Sequence, residues 1–386
     1  MNRRLPTLLV LLALSLPFAA CDDGGSSGVD LTKPVTFDVD AAPETNLSAY
    51  NLFAWDPATG FQWNDRVVPY EMNSPLFTDY ALKARAVYLP PGATAAYHPN
   101  DVLDFPVGTV IVKNFYFPAD FRAPNDNLRL VETRLLVHRT DGWTGYPYIW
   151  NQAQTEAVYS PGGAGMEISF VDAGGVTKTA NYLVPQRNQC QSCHSHVDPA
   201  SAIPPMTPIG PKARHLNRDF DYGGTVGSVN TLQHLASLGM LTGLPSLDQV
   251  PRAYDFRPIE ANGVSAVPPA ELDKAARDYL DINCAHCHNP NGTQGITSQL
   301  FLNHDNTDMF RLGVCKRPGS AGAGTGGFTF DIVPGSPDTS ILYYRVHTEE
   351  VGAMMPLIGR SLEHQRGAEL LHAWIAAMPA QTCTGQ

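Results

Sequence analysis

Hydrophobic and polar positions change rhythm twice along this 386-residue chain. Across residues 42–187 the apolar residues come in short runs rich in β-branched and aromatic types. TVIVKNFYF (Thr109–Phe117) and RLVETRLLVH (Arg129–His138) are two such runs, and turn formers such as LPPGA, PNDN and TDGW punctuate them. MEISFVDAGGVTKTANYLV (Met166–Val184) reads as a hairpin turning near Asp172–Gly175. No helical period persists there, so an antiparallel β-domain, a sandwich or a curled sheet, is expected. Residues 188–267 are dense in Pro and Gly, which predicts loops with short helices, Thr231–Leu241 among them. Over residues 268–386 a helical period takes over. ELDKAARDYLDIN sets Leu272, Ala275, Ala276, Tyr279 and Leu280 on one face, and LLHAWIAAM does so with Leu371, Trp374, Ile375 and Met378. Ser361 is the expected N-cap of that closing helix. The fold class predicted is β + α multidomain: an antiparallel β-domain, a loop-rich middle and an all-α C-terminal domain.

The first residues follow a different plan. Arg3 and Arg4 precede an apolar run from Leu8 to Leu16, and Ala19-Ala20 end it with small side chains. Residues 1–20 are therefore expected to be a signal peptide, the run being short for a bilayer span. Cys21 directly after the small residues resembles the lipobox of bacterial lipoproteins, so lipidation is expected there, with residues 21–41 as a flexible tether. An exported, periplasmic protein anchored to a bacterial membrane by its N-terminal lipid is the expectation.

Composition adds two constraints. Hydrophobic residues make up 43% of the chain, enough for sizeable cores, while a net charge of -11 argues against nucleic acid as a partner. There are 7 cysteines. With Cys21 lipidated and four others in the motifs below, Cys315 and Cys383 remain, and in an oxidising compartment they are expected to form a disulfide.

The chemistry concentrates in QCQSCHSH (Gln189–His196) and NCAHCHNPNG (Asn283–Gly292). Each holds Cys-x-x-Cys-His, the attachment sequence of c-type haem. Two cysteines three apart lie on one side of a helical turn, where each thiol reaches one haem vinyl group, and the next residue ligates the iron. Cys190 and Cys193 with His194, and Cys284 and Cys287 with His288, are the two expected units: four thioethers, two proximal histidines, two haem c irons. Zinc ribbons set their cysteine pairs about 15 to 20 residues apart, and the chain between these pairs is far longer. A thioredoxin-like pair does not call for the histidines, and no βαβ pattern surrounds either motif. For the second haem, Met355 of GAMMPLIG is the expected distal ligand, with Met354 in reserve and Arg345 as a partner for a propionate. For the first, Met206 of AIPPMTPIG stands first. His196, His215, His234 and Met240 compete, and an open iron is the remaining option. His286 is read as a solvated spacer.

AARDYLDINCAHCHNPNG, DIVPGSPDTSILYYRV, MMPLIGRSLEHQ and ELLHAWI together resemble the C-terminal cytochrome c domain of a bacterial family of uncharacterised dihaem c-type cytochromes. The likeness extends upstream through NSPLFTDYALKARAVYLP, DFPVGTVIVKNFYFP, VETRLLVHRTDGW and IGPKARHLNRDF. It implies a β-rich N-terminal part, two covalent haems and an exported redox protein. The closing domain is similar to class I cytochromes c, with a longer middle around Cys315 and GSAGAGTGG. The function expected is electron transfer in the periplasm between a donor and a respiratory acceptor, with other redox proteins as partners. A dihaem peroxidase with an open first haem is the alternative. Trp143, Tyr146, Tyr148 and Trp150 offer the β-domain an aromatic surface for a carbohydrate or a partner enzyme, unless they are core.

Overall fold

The structure is a computed structural model and describes residues 29–198, 204–293 and 298–384. The expected signal peptide, Cys21 and the first part of the tether lie outside the described residues. Eleven strands run through the N-terminal half: β1 (Phe53–Asp56), β2 (Gly60–Trp63), β3 (Val67–Tyr70), β4 (Leu82–Tyr88), β5 (Ala95–Ala96), β6 (Val110–Phe117), β7 (Arg129–Arg139), β8 (Gly142–Trp150), β9 (Ala157–Tyr159), β10 (Ala164–Val171) and β11 (Thr177–Val184). Six of them form one antiparallel sheet in the order β3-β4-β6-β7-β8-β9. β10 and β11 pair as the expected hairpin around Asp172 to Val176.

Period-two alternation gives the large sheet two different faces. Ala86, Tyr88, Val110, Val112, Leu135 and Val137 pack under the β1–β2 hairpin, against Phe53 and Trp55. Tyr146, Tyr148 and Trp150 join this core, so the aromatic surface expected of β8 is interior, and Trp143 stacks on His138 at 4.5 Å. Burying these rings removes far more apolar area from water than a surface patch keeps exposed, and Tyr148 still donates its hydroxyl to Glu44 O. The other face carries Val68, Tyr70, Val87 and Ile111, and its core continues without a break into Leu216, Leu232, Leu235 and Ile282.

Among the described residues eight α-helices follow: α1 (Gln191–His194), α2 (Ala213–Leu216), α3 (Thr231–Ser237), α4 (Arg257–Asn262), α5 (Leu272–Asn283), α6 (Met309–Leu312), α7 (Ile341–His347) and α8 (Gln365–Ala377). The middle also adds strand where only loop and helix were expected: Leu241–Thr242 pairs in parallel with β5, and Asp219–Asp221 with Ser228–Asn230. α5, α7 and α8 build the C-terminal core around Ala276, Tyr279, Leu280, Leu371, Trp374 and Ile375. Cys315 and Cys383 are joined, with S–S 1.98 Å. Ser361 does not cap α8. The helix starts at Gln365 after His364, and the Ser361 hydroxyl and amide serve the buried Asp79 instead. Among the described residues no helix is long and apolar enough to cross a membrane.

The segment from Met72 to Tyr80 stitches the halves together. Phe77 N donates to Asn283 Oδ1 at 2.8 Å, Asp79 accepts from the backbone of Ser361 and Leu362, and Phe77 stacks on His364 at 4.2 Å.

Candidate functional site

A turn from Arg187 to Cys190 leads into α1, with Gln186 and Gln189 bonding reciprocally at its start. This winding places Cys190, Cys193 and His194 on adjoining turns. His194 is oriented by Nδ1, which lies 2.8 Å from Thr207 O, so that nitrogen donates and Nε2 keeps its lone pair. Burial pushes the ring's pKa down to about 4, against the bond to Thr207, so the imidazole is neutral at neutral pH.

α5 delivers the second motif. Its last turn continues through Cys284 N to Leu280 O, and His288 N reaches Cys284 O at 2.9 Å, so Cys284, Cys287 and His288 share one curl of chain. His288 Nδ1 meets Ser298 Oγ at 3.3 Å, and burial again pulls the ring down to about 4. The chain leaves the curl through Gly292, where a Cβ would lie 2.1 Å from Cys287 O, so no other residue fits without moving the backbone.

An ion network fixes α5 against the middle segment. Arg214, 4% exposed, pairs with Asp278, and with Asp281 at 3.2 Å. Lys212 and His215 reach Asp281 at 3.2 and 3.5 Å, and Lys274 reaches Asp278 at 2.6 Å. Burial opposes ionisation of Asp281, yet Lys212, His215 and His304 outweigh it and hold the carboxyl well below its usual range. Asp278 is held low in the same way by Arg214 and Lys274.

With α5 so held, the two motifs meet. Val197 N donates to Asn291 O at 2.9 Å, Thr293 Oγ1 to Ser192 O at 3.2 Å, and Cys287 Sγ lies 3.5 Å from Ser192 O. The neighbouring thiols of Cys193 and Cys287 interact, which lowers the pKa of Cys287 and raises that of Cys193.

Two cavities open from this junction. The first, about 1320 Å³ with its mouth, has Cys190, Cys193 and His194 on one wall and the large sheet on the other. The second, about 1340 Å³, has Cys284, Cys287 and His288 facing Leu342, Arg345 and Met355. Cys193, His286, Pro356 and Ile358 line both. Both volumes include the open mouth, and both cavities are walled mainly by apolar side chains.

These residues fit haem c. Each cavity offers two free thiols, a neutral imidazole and an apolar slot. Gly145 completes the first cradle, since a Cβ there would come within 2.6 Å of Cys190 Sγ. Among the described residues no three His, Cys, Asp or Glu side chains converge to hold a metal ion by themselves. Tetrahedral zinc would require that convergence, whereas haem iron asks the protein for at most two axial ligands.

The remaining expected residues fall as follows. Met355 lines the second cavity and Met354 does not; the Met355 amide donates to Arg345 O at 2.7 Å. Arg345 lines the same cavity while its Nε donates to Ala353 O. Met206 bridges Ser195 behind the first motif and is not among the residues lining the first cavity. Met72, which sequence reasoning missed, does line it, and is 5% exposed. No periodicity marks Met72; its one signal is its place just before NSPLFTDY. His286 is not a solvated spacer, because the packed motifs bury its Nδ1. His215 is engaged by Asp281, His234 stacks on Tyr222, and Met240 is core.

No family model matches the chain, and neither does any curated protein or solved structure.

Proposed function

We propose that this chain is a dihaem c-type cytochrome of the bacterial family it resembles, exported, lipid-anchored at Cys21 and transferring electrons between periplasmic partners. The observation that carries the reading is the arrangement of the motifs: each Cys-x-x-Cys-His walls its own apolar cavity, and the cavities touch at Cys193 and His286. Cys190, Cys193 and His194 would hold one haem, and Cys284, Cys287 and His288 the other. Haem iron, when bound, accepts and releases single electrons between its ferrous and ferric states. The protein's part would be to hold each haem by two thiols and a neutral imidazole and to exclude water with apolar walls. Met355 is the sulfur offered to the second iron. For the first, Met72 now ranks ahead of Met206, because its side chain lines the cavity. The C-terminal helices would then be a cytochrome c domain, and the β-domain the cover of the first haem.

Intact-mass and optical spectra of the exported protein test this. Two added haems with low-spin spectra are expected, and replacing Met355 or Met72 should abolish the sulfur-ligation signature of one haem each. A bare polypeptide would sink the proposal. Steady-state turnover of hydrogen peroxide with a reduced cytochrome would replace it by the peroxidase alternative.

A further inference from the structure

The large sheet carries a row of cations that its own fold does not explain. The strand register sets Arg85 of β4 opposite Lys113 of β6, and Lys113 opposite Arg134 of β7. Directly opposed side chains on a sheet stand about 4.5–5.5 Å apart at Cβ, and like charges there repel. Counter-charge is short. Arg134 pairs with Glu132, with Nη2 to Oε2 at 2.8 Å, but that carboxylate also accepts from Tyr182. Among the described residues Arg85 and Lys113 have no ion pair. Arg85 is 7% exposed, and its Nη2 is buried without a hydrogen-bond partner. Lys113 Nζ has only the Phe115 ring, 4.9 Å away. All three cations line the first cavity, facing the wall of Cys190, Cys193 and His194, and no carboxylate lines that cavity.

A half-buried positive row beside an apolar slot is completed by an anion that brings its own apolar body. We infer that Arg85, Lys113 and Arg134 are the carboxylate-binding site for the propionates of the first haem, so that the β-domain recognises the cofactor's acidic edge. This rests on the haem reading above. Strands lie about 4.7–4.9 Å apart, so three adjacent cations can take two carboxylates side by side, the guanidinium groups gripping them bidentately.

The test uses the purified full-length protein and its variants Arg85→Gln, Lys113→Gln and Arg134→Gln, with haem count by mass and both reduction potentials by spectroelectrochemistry. Cations near a haem favour its reduced form. Each variant should therefore keep two haems and lower the potential of one haem only, with Lys113→Arg restoring it. Lys83→Gln, a cation of the same sheet face outside the cavity lining, should move neither potential. If a Gln variant fails to fold, Arg85→Lys replaces it, with a smaller drop in the same haem. Two haems with both potentials unmoved in every variant would overturn the inference and leave the haem reading standing. A wild-type chain without haem would overturn both. Inorganic phosphate shifting the wild-type potential would mean that the row takes a diffusible anion, and would also overturn it.

Discussion

Gly367 sits in α8 where that helix crosses α5, and its replacement by alanine is a sharp test of the packing. Helix propensity alone favours the change by about 1 kcal/mol. The structure reverses the sign. A Cβ at Gly367 would lie 2.2 Å from Tyr279 Oη, 2.4 Å from Tyr279 Cζ and 2.8 Å from His364 Nδ1. Tyr279 is itself 4% exposed, locked in the C-terminal core, and its hydroxyl is 3.0 Å from His364 Nδ1. To reach an ordinary contact one helix must move by more than an ångström. Overpacking of this kind costs about 1–3 kcal/mol, occasionally more, and breaking the Tyr279–His364 hydrogen bond adds about 1 kcal/mol. The Gly367→Ala variant should thus be destabilised by about 1–3 kcal/mol net. Urea unfolding followed by circular dichroism measures it, and pairing the change with Tyr279→Leu should recover part of the loss. A Gly367→Ala protein as stable as the parent, or more so, would refute the α5–α8 packing described here.

Other expectations follow from the same structure. Gly145→Ala should obstruct Cys190 and leave protein carrying one haem in place of two, read by intact mass; two haems at full yield would contradict the cradle. Replacing both Cys315 and Cys383 by alanine should cost at most about 4 kcal/mol, the chain-entropy figure for a sequence separation of 68, read as a lowered urea midpoint. Arg214→Met leaves Asp278 buried without its main cation and takes one partner from Asp281, and should cost about 3–5 kcal/mol. The pH dependence has a definite sign. Both carboxyls are held below the usual value of about 3.9, so their contribution is full above it and is lost as pH falls through the folded values. Arg214→Met raises the Asp278 value and should move the acid-unfolding midpoint to higher pH; an unchanged midpoint would refute the network.

Much of this architecture was legible from local patterns. Val110–Phe117 and Arg129–Arg139 are strands where β-branched residues cluster, and α5 and α8 lie where the apolar period is helical. The thiol-histidine motifs and the remaining cysteine pair could be read from spacing and count. What local patterns cannot carry is register between distant strands. Arg85, Lys113 and Arg134 each look like an ordinary solvated strand residue, and only the pairing of β4, β6 and β7 makes them a row. Met72 was missed and His286 misread as a solvated spacer for the same reason, since their surroundings come from segments far along the chain. Ser361 looked like a cap because serine before a helix commonly is one; the buried Asp79, 282 residues upstream, claimed it.

The first cavity is walled by residues as far apart as Tyr70 and Gly359. The first pocket cannot seal until the chain has been made through Gly359. If haem is attached as proposed, its loading happens on an open, partly assembled chain, and attachment competes with folding itself. Slowing the docking of the segment around Pro356 to Gly359 should widen that window, and hastening it should trap empty protein.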